Sequence, residues 1–258
     1  MFLVDYHTHP YAHGEDKVKP AHKISHLKNF ISKAEVRGVR ILGFSDHDRF
    51  LNEINWNNLQ KIKDKSNTEV CLGIEFDYRP EKEERIRKLI ADLTLDYTIG
   101  SVHAIGDWEV DHPDYIEEYD RRNITESYYQ YFDLVRKAAL SGLFNIIGHL
   151  DLIKIFGFKP ADVDIISIVE PVLKTIKDME LVIEVNTNGF NKPVKEQYPS
   201  EEVLRRAYEL GIPVTFGSDA HGPERVGERI KEVARLIKKI GFKEVAIFRQ
   251  GEVRFSKL

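Results

Sequence analysis

The sequence predicts a parallel α/β barrel built from seven strand–helix units. Short apolar runs alternate along the whole chain with stretches whose apolar residues recur at helical spacing. Repeated units of this kind imply parallel strands joined by right-handed crossovers, and seven of them close more naturally into a barrel than into an open sheet. No glycine-rich phosphate loop follows any strand, which counts against the doubly wound alternative. A chain of 258 residues suits one domain spanning 1–258, because such barrels reach this size undivided.

The elements follow in order. Residues 1–4 (Met-Phe-Leu-Val) read as a short buried strand. Within 20–37, Ile24, Leu27, Phe30, Ile31 and Ala34 share one helical face, and Gly38 ends the helix. A second strand at 40–45, a helix at 54–63 and a third strand at 69–76 come next. Residues 81–92 form a charged surface helix with Ile86, Leu89 and Ile90 on its inner side, followed by the fourth strand at 97–102. The stretch 106–122 is acidic, irregular and longer than a usual connection, so it is a candidate functional loop. A helix from Thr125 to about 141 leads to the fifth strand at 144–148. Residues 162–178 are helical, with Pro171 expected to kink or restart the helix. Strands at 181–185 and 214–217 flank a helix at 200–210, where Ser200 suits an N-cap with Glu201 and Glu202 in the first turn. A helix at 226–240 precedes two short terminal strands.

Composition narrows the function classes. A net charge of -4 gives no electrostatic footprint for non-specific nucleic-acid binding, so no nucleic-acid partner is expected. The single cysteine, Cys71, sits in the apolar run Val70-Cys71-Leu72 and reads as a small buried hydrophobe in a reducing compartment. No signal-like segment and no apolar run of membrane-spanning length is present, so a cytoplasmic location without a membrane partner is expected. Oligomeric state is left open.

Chemistry concentrates at the predicted strand ends. His7 and His9 lie two apart at the end of the first strand, where both side chains point to one face, and His13 follows. Three neutral imidazoles gathered this closely are most simply explained by metal. His47 lies just past strand two, Glu75 ends strand three, His103 ends strand four, His149 ends strand five, and Asp219 and His221 close strand seven. In a parallel barrel these ends face one mouth, so seven of the ten histidines and two acids converge there. Nine donors exceed the needs of one tetrahedral ion. The centre is therefore read as polynuclear, with Glu75 able to bridge two ions and bridging water deprotonated near neutral pH. Imidazole plus carboxylate suits Zn, Fe or Mn. His22 and His26, four apart and without a third ligand, are assigned to a solvated helix face, and His112 to simple exposure.

The motifs His7-x-His9, His13, Ser45-Asp46-His47, Glu75, Gly100-Ser101-Val102-His103, Gly148-His149 and Gly217-Ser218-Asp219-Ala220-His221 together resemble the polymerase-and-histidinol-phosphatase (PHP) superfamily, over nearly the whole chain. The stretches Glu184-Val185-Asn186-Thr187-Asn188-Gly189 and Tyr198-Pro199-Ser200 are similar to its histidinol-phosphate phosphatases rather than to its polymerase-associated members. Leu150 departs from a proline common after the histidine, and Asn191 from a second cation common before Lys192. The resemblance implies a distorted (β/α)7 barrel with a trinuclear centre. His7, His9, Glu75 and Asp219 would hold one ion, Glu75, His103 and His149 the second, and His13, His47 and His221 the third.

What the resemblance implies chemically is hydrolysis of a phosphate monoester, L-histidinol phosphate, by in-line attack of a metal-bridged hydroxide. That reaction is so slow unaided that on the order of 20 kcal/mol of barrier lowering is needed. Asp46, Glu75, Asp219 and His221 are the expected catalytic group, with orientation of His47 as the alternative role for Asp46. Lys154 or Lys192 is expected to add a cation at the phosphate. The substrate's amine and imidazole call for acids, with Glu15, Asp46, Asp48 and Asp111 as candidates. Three alternatives are a PHP phosphodiesterase acting on another phosphorylated metabolite or nucleotide, an amidohydrolase, and a non-enzymatic metal-binding module. The amidohydrolase reading is weakened by Glu75, which stands where a carbamylated lysine is often the bridge, and the last reading by the complete ligand set.

Overall fold

The computed structural model describes residues 1–11, 22–66 and 68–258. Strand β1 (Leu3–Asp5) runs parallel to β2 (Val39–Phe44), β2 to β3 (Glu69–Asp77), and β3 to β4 (Tyr97–Ser101). A small antiparallel hairpin, β5 (Ala104–Ile105) and β6 (Trp108–Glu109), intervenes before β7 (Ile146–Ile147), β8 (Val182–Asn186) and β9 (Val214–Gly217) complete the parallel series. The seven parallel strands lie side by side in chain order. Backbone bonds then join the first strand's continuation to the last: Tyr6 N donates to Phe216 O at 2.9 Å, Asp219 N to His7 O at 2.8 Å, and His9 N to Ala220 O at 2.8 Å. The sheet is closed, and the expected α/β barrel forms.

The crossovers carry helices α1 (Ile24–Arg37), α2 (Trp56–Lys65), α3 (Glu83–Ala91), α4 (Glu118–Arg121), α5 (Ile124–Leu140), α6 (Ile165–Asp178), α7 (Glu201–Glu209) and α8 (Ile230–Ile240). Each longer helix turns a stripe to the barrel, as α1 does with Leu27, Phe30, Ile31 and Ala34. Gly38 closes α1 in the left-handed conformation (φ 74°). Ser200 accepts from Val203 N and caps α7 as its sequence suggests. Pro171 does not restart α6, which runs through it as one helix. The proline faces solvent, while Ile168, Val169, Val172, Leu173 and Ile176 hold the opposite face in the core. Burying five apolar side chains, at roughly 1.5–3 kcal/mol each, outweighs the lost backbone bond.

Along the barrel strands, Val4, Ile41, Ile74, Ile99, Ile146, Ile183 and Val214 are fully buried, some inside the barrel and some beneath the helices. The terminal hairpin, β10 (Glu244–Arg249) and β11 (Glu252–Lys257), docks on the barrel through Phe248 N to Tyr6 Oη (2.9 Å) and Thr215 Oγ1 to Ala246 O (3.0 Å). Among the described residues, no helix is long and apolar enough to cross a membrane.

A buried carboxylate secures the closure. Asp5, at the end of β1, accepts from Ser218 N (2.8 Å), Ser218 Oγ (2.6 Å) and Gly227 N (2.7 Å). Burial pushes its carboxyl up to about 6 despite these donors. The unfolded carboxyl titrates near its ordinary value of about 4. Between the two values the folded chain holds the extra proton, so the Asp5 contribution to stability falls as pH rises through that window. A gap of this size is worth about 3 kcal/mol. Urea unfolding of the parent and of Asp5→Asn between pH 4 and 7 should therefore show the parent losing about 3 kcal/mol relative to the variant. A difference that stays flat across the window contradicts the assignment.

Candidate metal centre

Every described candidate ligand stands at the C-terminal end of a barrel strand or just beyond it. His7 and His9 follow β1, His47 follows β2, Glu75 lies near the end of β3, His103 follows β4, His149 follows β7, and Asp219 and His221 follow β9. They meet around the Glu75 carboxylate, which is 1% exposed. Its Oε2 lies 2.8 Å from His47 Nδ1, 3.3 Å from His7 Nε2 and 3.6 Å from His9 Nε2. Its Oε1 lies 3.0 Å from His149 Nε2 and 3.5 Å from His103 Nε2. The two oxygens thus serve two different groups of imidazoles. Asp219 closes the far side, with Oδ1 3.2 Å from His9 Nε2 and 3.6 Å from His221 Nδ1. It adopts a left-handed backbone (φ 53°), which aspartate accepts more readily than most residues. The His9 ring stacks between His47 and His221, with centroids 4.4 and 4.3 Å away.

Four triads have ligand atoms within 4.8 Å of one another: His7, His9 and Glu75; Glu75, His103 and His149; His7, His149 and Asp219; and His9, His47 and His221. Buried polar atoms normally find partners. Here His7 Nε2, both His9 nitrogens and His149 Nδ1 find no hydrogen-bond partner among the described residues. Orphaned donors converging without thiolate suit a hard or borderline divalent cation.

The electrostatics divide the imidazoles into those kept neutral and those held protonated until an ion displaces the proton. Burial, aided by His221 and His47, holds His9 well below the usual imidazole range, and burial also lowers His221. Neutral imidazole is the form that ligates. Burial opposes charge on Glu75, yet His7 and His47 hold it well below the ordinary carboxylate range. Asp219 is likewise held low against burial by His7 and His9. His7 is held well above the usual range, because Glu184, Glu75 and Asp219 outweigh its burial.

Supporting side chains aim the ligands. Asp77 Oδ1 lies 3.3 Å from His103 Nδ1, and with Glu75 it holds that imidazole at about 10 against burial. Asn188 Nδ2 donates to Asp219 Oδ2 at 2.9 Å and its Oδ1 accepts from Arg225 at 3.0 Å. Glu184 Oε1 lies 2.7 Å from His7 Nδ1. Sequence reasoning gave none of these four residues a role. Glu184 carried a signal, since a carboxylate inside the apolar run Leu181-Val182-Ile183-Glu184-Val185 must find a partner when buried.

Above the ligands opens a cavity of about 420 Å³. Arg49, Arg79, Lys192 and Arg225 bring cations to it, and Asp77, Glu109 and Asp111 bring acids. Part of the irregular acidic stretch is the β5–β6 hairpin and its continuation, which deliver Glu109, Asp111 and His112. The cavity gives that stretch its expected place.

The chain is similar in sequence and fold to known proteins. The PHP domain model matches residues 6–188, and a PHP-associated model matches residues 199–240. A probable histidinol-phosphatase of Deinococcus radiodurans is 41% identical over 177 residues, covering 69% of this chain and 67% of that protein. The histidinol-phosphatase of Lactococcus lactis is 28% identical over an alignment of 273 residues, 96% of this chain and 95% of its own. The crystal structure of histidinol phosphate phosphatase from that species, complexed with zinc, L-histidinol and phosphate, superposes with a TM-score of 0.77 at 24% identity over 98% of both chains.

Several expected site residues stand elsewhere. Asp46 is not among the residues lining the cavity; its Oδ1 accepts from Tyr11 N at 2.8 Å and its Oδ2 lies 2.7 Å from His22 Nε2, so it orients His22 rather than His47. His22 in turn is buried and precedes α1 instead of riding a solvated helix face. Asp48 is buried beside Asp77 N. Lys154 does not line the cavity. Its ammonium is buried against Asp151 (2.9 Å), Glu196 (3.1 Å) and the Gln197 carbonyl (2.9 Å), which consumes its donors. Lys192 does line the cavity, and His13 and Glu15 lie outside the described residues. Lys154→Met should leave Asp151 buried without its cation, keeping only the Ser200 N–H (2.9 Å), at a cost of about 3–5 kcal/mol by urea unfolding, with KM for a phosphate ester unchanged. A raised KM with stability retained would return Lys154 to the substrate.

Proposed function

The chain belongs to the PHP domain family, and from that premise we propose that it is a metal-dependent phosphatase converting L-histidinol phosphate to histidinol and phosphate in histidine biosynthesis. The observation that carries the reading is the division of Glu75 between two groups of imidazoles beneath a cavity supplied with both cations and acids. Relatives named as histidinol-phosphatases support the choice of ester. We place the reaction in the cytoplasm.

His7, His9, Glu75 and Asp219 would hold one divalent ion, and Glu75, His103 and His149 a second. His47 and His221, with His9 stacked between them, would hold a third, where His13 was expected to complete the set. Zn, Fe and Mn all suit these donors. When bound, such ions supply Lewis acidity toward a phosphoryl group and ready deprotonation of water near neutral pH.

The chain's own residues do the rest. Arg225 and Lys192 reach the cavity from the β8–β9 side, and Arg49 and Arg79 from the β2–β3 side, as partners for phosphate oxygens. Arg225 arrives already braced by Glu228 (3.1 Å) and Asn188 (3.0 Å), so little side-chain freedom is lost on binding. Glu109 and Asp111 come from beyond β4, across the barrel mouth from β9, and suit the ammonium and imidazole of the substrate. A phosphate ester that also carries a cation fits this division better than a plain sugar phosphate does.

The test is a panel of histidinol phosphate, other monoesters, a dinucleotide, an amide and a lactone, run on chelator-stripped enzyme reloaded with Zn, Mn or Fe. Histidinol phosphate should show the highest kcat/KM, and the stripped enzyme should be inactive. Glu75→Gln should lower bound metal and cut kcat by about 100- to 1,000-fold. A preference for the dinucleotide would overturn the substrate assignment, and full metal content with full rate in Glu75→Gln would remove its bridging role.

A further inference from the structure

On the reading that the cup holds divalent ions, we propose that Glu184 is the positioning residue of the centre, one carboxylate that sets how both His7 and His149 present themselves to metal. Glu184 stands on β8 with 1% exposure, between β7 and β9. Its Oε1 lies 2.7 Å from His7 Nδ1, and its Oε2 accepts the His149 backbone N–H at 2.7 Å. With one carboxylate oxygen accepting from His149 N and the other facing His7 Nδ1, the hydrogen of that second bond is placed on His7 Nδ1. That leaves His7 Nε2, facing Glu75 Oε2 at 3.3 Å, as the nitrogen available to an ion. The second oxygen fixes the backbone from which the His149 ring reaches Glu75 Oε1 at 3.0 Å.

The neighbouring strand β9 is shaped around this carboxylate. A Cβ on Gly217 would fall 1.9 Å from Glu184 Oε1 and 2.6 Å from His7 Cβ. A Cβ on Gly148 would fall 2.4 Å from Ser101 Oγ and 3.6 Å from Glu184 Oε2. Gly217 thus gives up a side chain where Glu184 lies, whereas Gly148 makes room for Ser101 and leaves Glu184 in ordinary contact. His7 and His149 between them enter three of the four donor triads, so the aim of one carboxylate reaches most of the centre.

Glu184→Gln keeps the shape and tests the charge. Its amide oxygen can accept from His149 N only by turning the NH2 toward His7 Nδ1, which moves the ring hydrogen to Nε2. Zinc affinity of the chelator-stripped variant, read by competition with a chromophoric chelator, should fall about 10- to 100-fold. In the reloaded enzyme kcat should fall with KM for histidinol phosphate unchanged, and the stripped variant should melt like the stripped parent. Zinc affinity equal to the parent's overturns the proposal. So does a stripped variant melting well below the parent, which would make Glu184 a fold element. Because zinc affinity is read without substrate, a parent inactive on histidinol phosphate sinks the substrate assignment and leaves this inference standing.

Discussion

One carboxylate buried among five imidazoles is the constraint from which the rest of this molecule can be understood. Glu75 has almost no contact with water, and an anion in that position needs compensating partners on every side. Two oxygens cannot be satisfied by neighbours in sequence, because β3 offers only alternate residues to the barrel interior. The partners therefore come from β1, β2, β4 and β7, strands separated by whole crossovers. Only a closed ring of parallel strands brings those ends together, and closure rests on the bonds between the continuations of β1 and β9. Asp5 braces that seam beneath the ligands, and Ser218, which it holds, is the residue before Asp219.

Much of this was legible in the sequence, for definite physical reasons. Apolar runs with period-two or helical spacing mark buried strands and half-buried helices, and the alternation gave the barrel. The ligands were legible because chemistry at strand ends leaves polar residues just where apolar runs stop. His47, His103 and His149 each follow such a run. Strand boundaries moved by a residue or more, and the fifth strand shrank to Ile146–Ile147, since the ends of a strand depend on its neighbours' hydrogen bonds rather than on its own residues.

What escaped the sequence were pairings between residues far apart in the chain. Asp46 stood beside His47 and so suggested itself as that residue's partner, but adjacent residues on an extended chain point to opposite faces. It turned to His22, 24 residues away, instead. Lys154 looked like a free cation near the site, whereas its partners Gln197 and Glu196 come from a different crossover. Glu184 and Asp5 are the instructive misses. Each is an acid inside or at the end of an apolar strand, and a buried acid is itself a sign that a donor waits across the barrel.

The cup also couples the centre to the stability of the fold. His9 keeps both ring nitrogens buried without a hydrogen-bond partner among the described residues, and His7 Nε2 shares that condition. Each such group costs free energy relative to its hydration in the unfolded chain. A ligand that binds only the folded state and satisfies these atoms adds its binding free energy to folding. The apolar core that includes Val4, Ile41, Ile99 and Ile183, together with the Asp5 brace, must therefore hold the ligands in place before any ion arrives. Pre-organisation of this kind places the energetic cost of assembling the site on the barrel. The arginine at the cavity is set in advance in the same way, held by Glu228 and Asn188.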